Sequence, residues 1–347
     1  MKEGKDLVQL AAELTRQQES KRDFVAPSSR LELKSNGDSV MKIGEQGNFE
    51  VTDITHGQIA DRLSIPKKYY DKMREDAPQL LDRNVNHWFQ ANDEPRLVRT
   101  LDTRARAFLS DRYRPLDNFD LAEAVLPTLQ VKDCEVKSCE LTERRMYVKA
   151  ILPKLEAEVA VGDVVQAGIV ISNSEIGVGS LQVAPLIYRL VCRNGLIMAD
   201  GKLRQTHLGK IGNVDAETWQ VLRDTTRNAS DRVFWMTVRD VVGHILEEVG
   251  FEALVGRLRE SAEKKIGDPL KVVEIVEKKF GLQEGEKGSI LRFLCEGGQM
   301  NQWGLVNAVT RASQEVDSYD RATELENLGG TIIDLKPSEW KPLAEAA

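Results

Sequence analysis

Residues Val164–Gly195, VVQAGIVISNSEIGVGSLQVAPLIYRLVCRNG, decide the fold. Two apolar runs rich in β-branched residues flank the polar turn Asn173-Ser174-Glu175-Ile176-Gly177. Branched side chains suit a pleated surface, and a glycine-bearing polar turn between two such runs reads as a hairpin. The second run ends in Cys192-Arg193-Asn194-Gly195, so the hairpin leaves through a basic exit. A long hairpin with patterned chain on both sides implies an α+β fold whose sheet is mixed or antiparallel.

Working outward towards the N-terminus, Val131–Leu152 reads as another strand pair. Asp117-Asn118 caps a helix running to about Leu126, where Pro127 is expected to end it. Strands are expected over Arg96–Leu101 and Arg104–Leu109, joined by Asp102-Thr103. Thr55–Arg74 is helical, interrupted at Ser64-Ile65-Pro66. Leu31–Val51 holds two or three short strands with Ser35-Asn36-Gly37-Asp38 as a turn, and Ser20–Ser29 reads as a polar linker. Leu7, Leu10, Ala11 and Leu14 recur at helical spacing over residues 5–20.

Towards the C-terminus, Asp215–Leu328 is a train of helical patterns broken at Gly250, Gly267-Asp268-Pro269, Gly281 and Gly297-Gly298. Thr331-Ile332-Ile333 reads as a short strand before a proline-containing tail. The expected organisation is an N-terminal helix and linker (1–30), an α+β body (31–212), a helical C-terminal region (213–335) and a tail (336–347).

A hydrophobic fraction of 41% and a charged fraction of 30% over 347 residues are those of a soluble globular protein. No apolar run approaches the roughly 20 residues of a membrane span. The charged, helical N-terminus is not a secretory signal. Cys134, Cys139, Cys192 and Cys295 lack metal-ligand spacing and read as free thiols in a reduced cytoplasm. The net charge of −7 argues against a general nucleic-acid coat but leaves room for a local basic groove.

Two basic segments stand out. Arg96, Arg99, Arg104, Arg106, Arg112 and Arg114 crowd the first, opposed mainly by Asp102 and Asp111. Alternation along a strand projects Arg104, Arg106 and Phe108 to one side. Guanidinium groups fit phosphate oxygens, and Phe108 or Tyr113 offers a stacking face for a base. The second segment carries Arg189, Arg193, Lys202, Arg204, His207 and Lys210 on loops after the hairpin. If both segments line one groove, the chain has a polynucleotide site; otherwise they are charged solvent faces.

Other patterns weigh less. Thr55–Tyr70 resembles a helix-turn-helix that would present Lys67, Lys68 and Tyr70 to DNA, but an ordinary helical corner has the same pattern. Glu175 with Asp163 would suit Mg²⁺ in a nuclease, although no acidic array supports them and the plainer reading is a satisfied turn. Trp303, Asn307 and Arg311 share a helical stripe that reads as a polar anchor against the sheet.

Four motifs together carry a resemblance: Ser110-Asp111-Arg112-Tyr113 with Leu116-Asp117-Asn118, the Asn173–Gly177 turn, Tyr188–Gly195, and Asn307-Ala308-Val309-Thr310. Over Tyr69–Leu335 the chain resembles a phage/plasmid-like family of unknown function carried by mobile elements. In the order of its elements it is also similar to phage single-strand annealing proteins, which assemble into rings or filaments with DNA in a basic groove.

The basic segments, set beside the resemblance, lead to the expectation of single-stranded DNA as partner, a homo-oligomer and non-catalytic annealing in phage or plasmid recombination; no cofactor, metal or membrane is expected. The expected contacts are Arg96, Arg99, Arg104, Arg106, Phe108, Arg112, Tyr113, Arg189, Arg193, Lys202 and Arg204. The alternatives are an anti-defence or regulatory protein that binds a host protein, and a metal-dependent nuclease.

Overall fold

The hairpin forms where its sequence places it. Strands β9 (Asp163–Asn173) and β10 (Leu181–Arg189) pair antiparallel, with Ile171 opposite Val183 and Ala167 opposite Ile187. The protein is seen in a computed structural model that describes residues 1–199, 203–205 and 224–346. Over these residues it is an α+β fold with two six-stranded sheets.

The hairpin is the centre of the second sheet, ordered β11-β10-β9-β8-β7, with β12 also pairing β10. Here β7 is Glu135–Leu141, β8 Met146–Ala160, β11 Asn194–Ile197 and β12 Leu203–Gln205. Nearly every residue of β9 is buried, which explains its unbroken apolar run: both faces are covered. Ile169 and Ile171 share a core with Leu10 and Leu14 of α1 (Leu7–Ser20) and Leu121 and Val125 of α5 (Asn118–Val131). Val242 of α6 (Asp224–Ile245) closes the same core. A capping box fixes the start of α1, with Gln9 N donating to Asp6 at 2.7 Å and Asp6 N to the Gln9 side chain at 3.1 Å.

The first sheet is ordered β1-β5-β6-β4-β3-β2. Its strands are β1 (Arg22–Pro27), β2 (Leu31–Asn36), β3 (Asp38–Ile43), β4 (Asn48–Val51), β5 (Pro95–Leu101) and β6 (Arg104–Ser110). Helices α2 (Asp53–Arg62), α3 (Lys67–Asp76) and α4 (Pro78–Asn92) cover one face, with Met41, Ile59, Tyr70, Phe89 and Phe108 in the core. The free edge of β2 is met by α4 side chains. Leu33 N donates to Asn86 Oδ1 at 2.7 Å, Asn86 Nδ2 returns a bond to Leu33 O at 2.8 Å, and Ser35 N donates to Asp82. An edge strand covered this way no longer templates another chain.

The C-terminal helices are α7 (Glu248–Glu263), α8 (Pro269–Phe280), α9 (Glu284–Gly297), α10 (Gln302–Ala312), α11 (Tyr319–Ile333) and α12 (Pro337–Ala344). They pack on the second sheet, so that Val165, Ala167 and Ile187 share a core with Phe251, Val306 and Ile332. Gly330 brings α11 against β11: a Cβ there would lie 2.0 Å from Ile197 O.

Four expectations are corrected. The Ser20–Ser29 linker contains β1, paired to β5 with Phe24 opposite Val98; an edge strand leaves many residues exposed and so reads as polar. Pro127 does not end α5, because it lies on the exposed face while Val125 and Leu129 are buried and carry the helix to Val131. Thr331-Ile332-Ile333 closes α11, since three consecutive β-branched residues show no period by which to separate strand from helix. The tail contains α12, which packs on α8 and buries Leu343.

Candidate functional site at the hairpin tip

The tip of the β9–β10 hairpin reaches across to the first sheet and is held there by named bonds. Gln58 of α2 donates to Ile176 O at 2.6 Å and accepts from Phe108 N at 2.7 Å. Asn173 Nδ2 donates to Leu116 O and to Asn118 Oδ1, at 2.7 and 2.9 Å. Tyr113 OH donates to Ser174 O at 3.3 Å. Gly177 takes φ +76, and a Cβ there would lie 2.6 Å from Leu109 Cδ2, so both conformation and space demand glycine.

Around this tip lies a buried ionic network. Arg99, with no solvent exposure, donates to Asp23 at 2.8 Å, to Glu175 O at 2.8 Å and to Asp117 at 2.7 Å. Lys21 Nζ lies 2.6 Å from Asp117 Oδ2. Burial alone would raise the Asp117 carboxyl, but Arg99 and Lys21 outweigh it and hold the group below its ordinary value. Burial likewise opposes the Arg99 charge, and Asp117 and Asp23 overcome it. Glu175 accepts from Asn118 N at 2.7 Å and so caps the positive end of α5.

A β-bulge places the next guanidinium. Arg99 pairs with Ala107 and Thr100 with Ala105, leaving Arg106 as the extra residue of β6. The bulge turns Arg106 towards Glu175, Nη2 to Oε2 at 2.7 Å, while Phe108 falls on the helix-covered face. Arg106 and Glu175 line a cleft of about 380 Å³ between the sheets. Its rim includes Arg104, with Arg144 and Arg145 from the β7–β8 turn. A second cleft, of about 480 Å³, shares Arg144 and Arg145 and extends to Gln182 and Thr331.

The structure separates Arg189 and Arg193 from the first arginine segment, expected to share a trough with them, whereas Arg204 falls near the tip end of β10. Arg99, Arg104 and Arg106 surround the tip. Arg189 lies at the far end of β10, bonded to Asp163 at 2.6 and 2.9 Å, with Trp303 Nε1 donating to the same carboxylate at 2.8 Å. Arg193 is exposed beside that end, while Arg204 lies on β12 opposite Gln182, described through its backbone alone. Lys202, His207 and Lys210 fall outside the described residues.

Carboxylate pairing removes more of the expected contacts. Arg99 and Arg189 are locked, and Arg96 pairs with Glu94. Phe108 is fully buried against Phe89 and presents no stacking face, while Tyr113, half-buried, packs with Leu109 and Ile176. Arg112 is exposed. Arg104, half exposed, has only Glu50 at 3.3 Å and Glu143 at 3.7 Å, exchangeable partners at such a surface.

The nuclease pairing of Asp163 with Glu175 is also overturned. Asp163 is the first of the 11 residues of β9 and Glu175 lies two residues beyond the last, which separates them by roughly 35 Å. Among the described residues no group of three or more His, Cys, Asp or Glu is placed to hold a metal ion. In the helix-turn-helix-like corner, Tyr70 is buried against His56, so α3 does not present it outward.

Sequence reasoning passed over Arg144 and Arg145, whose only signal is a charged turn between two strand patterns. It also passed over Asp23 and Asp117 as partners for Arg99, and Lys21 as the second cation on Asp117. Of the Trp303, Asn307 and Arg311 stripe, Trp303 anchors α10 through Asp163 and Asn307 Oδ1 lies 3.5 Å from Asn194 Nδ2, while Arg311 pairs instead with Glu296 of α9. Thr310, outside the stripe, accepts from Asn194 Nδ2 at 2.6 Å. All four cysteines are free thiols. Among the described residues no helix is long and apolar enough to cross a membrane.

Fold and site together define a two-sheet α+β protein whose central hairpin closes an arginine-rimmed cleft. The chain belongs to the family described as a domain of unknown function, DUF932, which matches residues 107–331. That span starts in β6, includes the whole hairpin and ends in α11. No curated protein and no solved structure matches the chain.

Proposed function

We propose that this protein binds single-stranded nucleic acid without doing chemistry on it, through the tip of the β9–β10 hairpin. The observation that carries this reading is the position of Arg144 and Arg145 where two clefts adjoin. Among the described residues neither guanidinium has a carboxylate partner; Arg145 donates only to Val178 O, at 3.3 Å. Guanidiniums without carboxylate partners where two clefts adjoin suit a phosphate backbone. Arg104 adds a third cation held only by exposed pairs. Annealing of complementary strands, assembly into an oligomer and a mobile-element setting are the further parts of the proposal. They draw on the resemblance of motifs and element order.

Three phosphate contacts predict a shallow salt response, a slope of roughly −2 in log affinity against log salt for a single strand. Fluorescence anisotropy with a labelled single strand and its duplex, at several salt concentrations, tests this. The expected result is preference for the single strand and loss of most binding in Arg144→Glu/Arg145→Glu. Unchanged binding by that variant overturns the reading.

A second reading, a regulatory or anti-defence protein with a host-protein partner, is favoured by the net charge of −7 and by the many arginines held in ion pairs. Light scattering after size exclusion, with and without oligonucleotide, separates the two.

A further inference from the structure

The second cleft, of about 480 Å³, lies between two polar rows, and we propose that it receives one unstacked base of the bound strand. The inference rests on the nucleic-acid reading and adds to it the place where a base goes. Tyr147, Ser172 and Gln182 stand opposite one another on β8, β9 and β10, so they form one row across a single face of the sheet. Asp320, Thr323, Asn327 and Thr331 recur at three- and four-residue spacing along α11 and form the other row. The rows meet where Tyr147 OH donates to Asp320 at 2.7 Å.

Charge divides the cleft into a neutral stretch and a cationic end. Asp320 also accepts from Thr142, and Arg321 is held by Glu286 and Glu324, so the charges along the helix are already engaged. Three neutral atoms remain. Among the described residues Ser172 Oγ, Gln182 Oε1 and Asn327 Oδ1 make no hydrogen bond, and none of them is sealed from solvent. Phe280, half-buried, adds an aromatic wall. Arg144 and Arg145 stand at the end shared with the first cleft, where the hairpin turn seats Arg145: a Cβ at Gly179 would lie 2.0 Å from its Nη2. A phosphate deeper in the cleft would have to displace Glu286 and Glu324 from Arg321. An apolar group would strip water from the three neutral atoms without replacing its hydrogen bonds. An anion at the arginines joined to a planar, neutral, hydrogen-bonding group beyond them is the make-up of a nucleotide. Hydroxyl and amide groups read the edges of unstacked bases, and an aromatic ring stacks on their faces.

Fluorescence anisotropy with the full chain tests the proposal, using a labelled thymidine tract and an abasic tract of the same length and charge. The thymidine tract is expected to bind about tenfold more tightly. Phe280→Leu, which keeps an apolar side chain against the core, and Gln182→Ala should each shrink that difference to about threefold or less. Thermal melts confirm that the variants are folded, and the comparison of the two tracts on the wild-type protein decides the matter without them. Equal affinity of the wild-type protein for both tracts overturns the base site and leaves the phosphate contacts standing. A tenfold difference retained by both folded variants also overturns it, because the bases are then held elsewhere. Absence of binding to either tract overturns the nucleic-acid reading as well.

Discussion

Arg99 Nη2 donates to Asp117 Oδ1 at 2.7 Å, joining the fifth strand of the first sheet to the cap of the helix beneath the second. The same guanidinium holds Asp23 and the backbone of Glu175, so one side chain ties three segments far apart in sequence. Replacing Arg99 with methionine leaves Asp23 without its cation and Asp117 with Lys21 alone. A loss of about 3–5 kcal/mol is expected, because stranding buried charge costs far more than an intact pair contributes. Urea unfolding measures it, and a loss below 1 kcal/mol would show the network to be dispensable.

Lys149 and Glu326 make a second buried pair at 2.6 Å, both without solvent exposure, with Lys149 also 4.5 Å from the Tyr319 ring centroid. Lys149→Met alone should destabilise by about 3–5 kcal/mol. Lys149→Met with Glu326→Leu should recover much of that loss, since apolar replacement of both partners removes the stranded charge. Thermal melts of the single and double variants decide it; equal losses would refute the argument.

Gly330 and Gly288 predict opposite responses to alanine. At Gly330 the added Cβ meets Ile197 O at 2.0 Å, so α11 must move off the strand, at a cost of about 1–3 kcal/mol. At Gly288, inside α9, nothing lies within 4 Å, and alanine should stabilise the helix by about 0.5–1 kcal/mol. Chemical denaturation of both variants checks the sign.

His56 sets part of the acid response. Burial, helped by the Arg74 guanidinium, pushes its imidazole from the ordinary 6.5 down to about 3. Its Nδ1 lies 2.8 Å from Tyr70 OH. The folded protein therefore holds His56 neutral where the unfolded chain would protonate it. Stability is complete above pH 6.5 and falls as pH drops from there towards 3. His56→Phe should flatten the part of this decline above pH 5, before ordinary carboxylates titrate. Unfolding free energies measured between pH 5 and 7.5 test it, and an unaltered slope would refute it.

What the residues alone disclose here is local. The hairpin, the β2–β3 turn at Gly37, the β5–β6 pair and the helical train after the sheets each carry a period or a turn that depends on near neighbours. The arginine cluster of β5 and β6 is equally plain, but the number of guanidiniums says nothing of what faces them. Asp23 lies 76 residues from Arg99 and Ile176 lies 118 residues from its partner Gln58.

The sequence by itself determined the central hairpin and the mixture of strands and helices, because backbone conformation follows from propensity, period and turn chemistry over a few residues. Only the tertiary structure decided which charges are spent on each other and which remain for a ligand. It did so through two features without a local signature: the bulge that turns Arg106 to Glu175, and the crossing of the hairpin tip from one sheet to the other. Ion pairing depends on distance in space, and that distance is fixed only once the whole chain has folded.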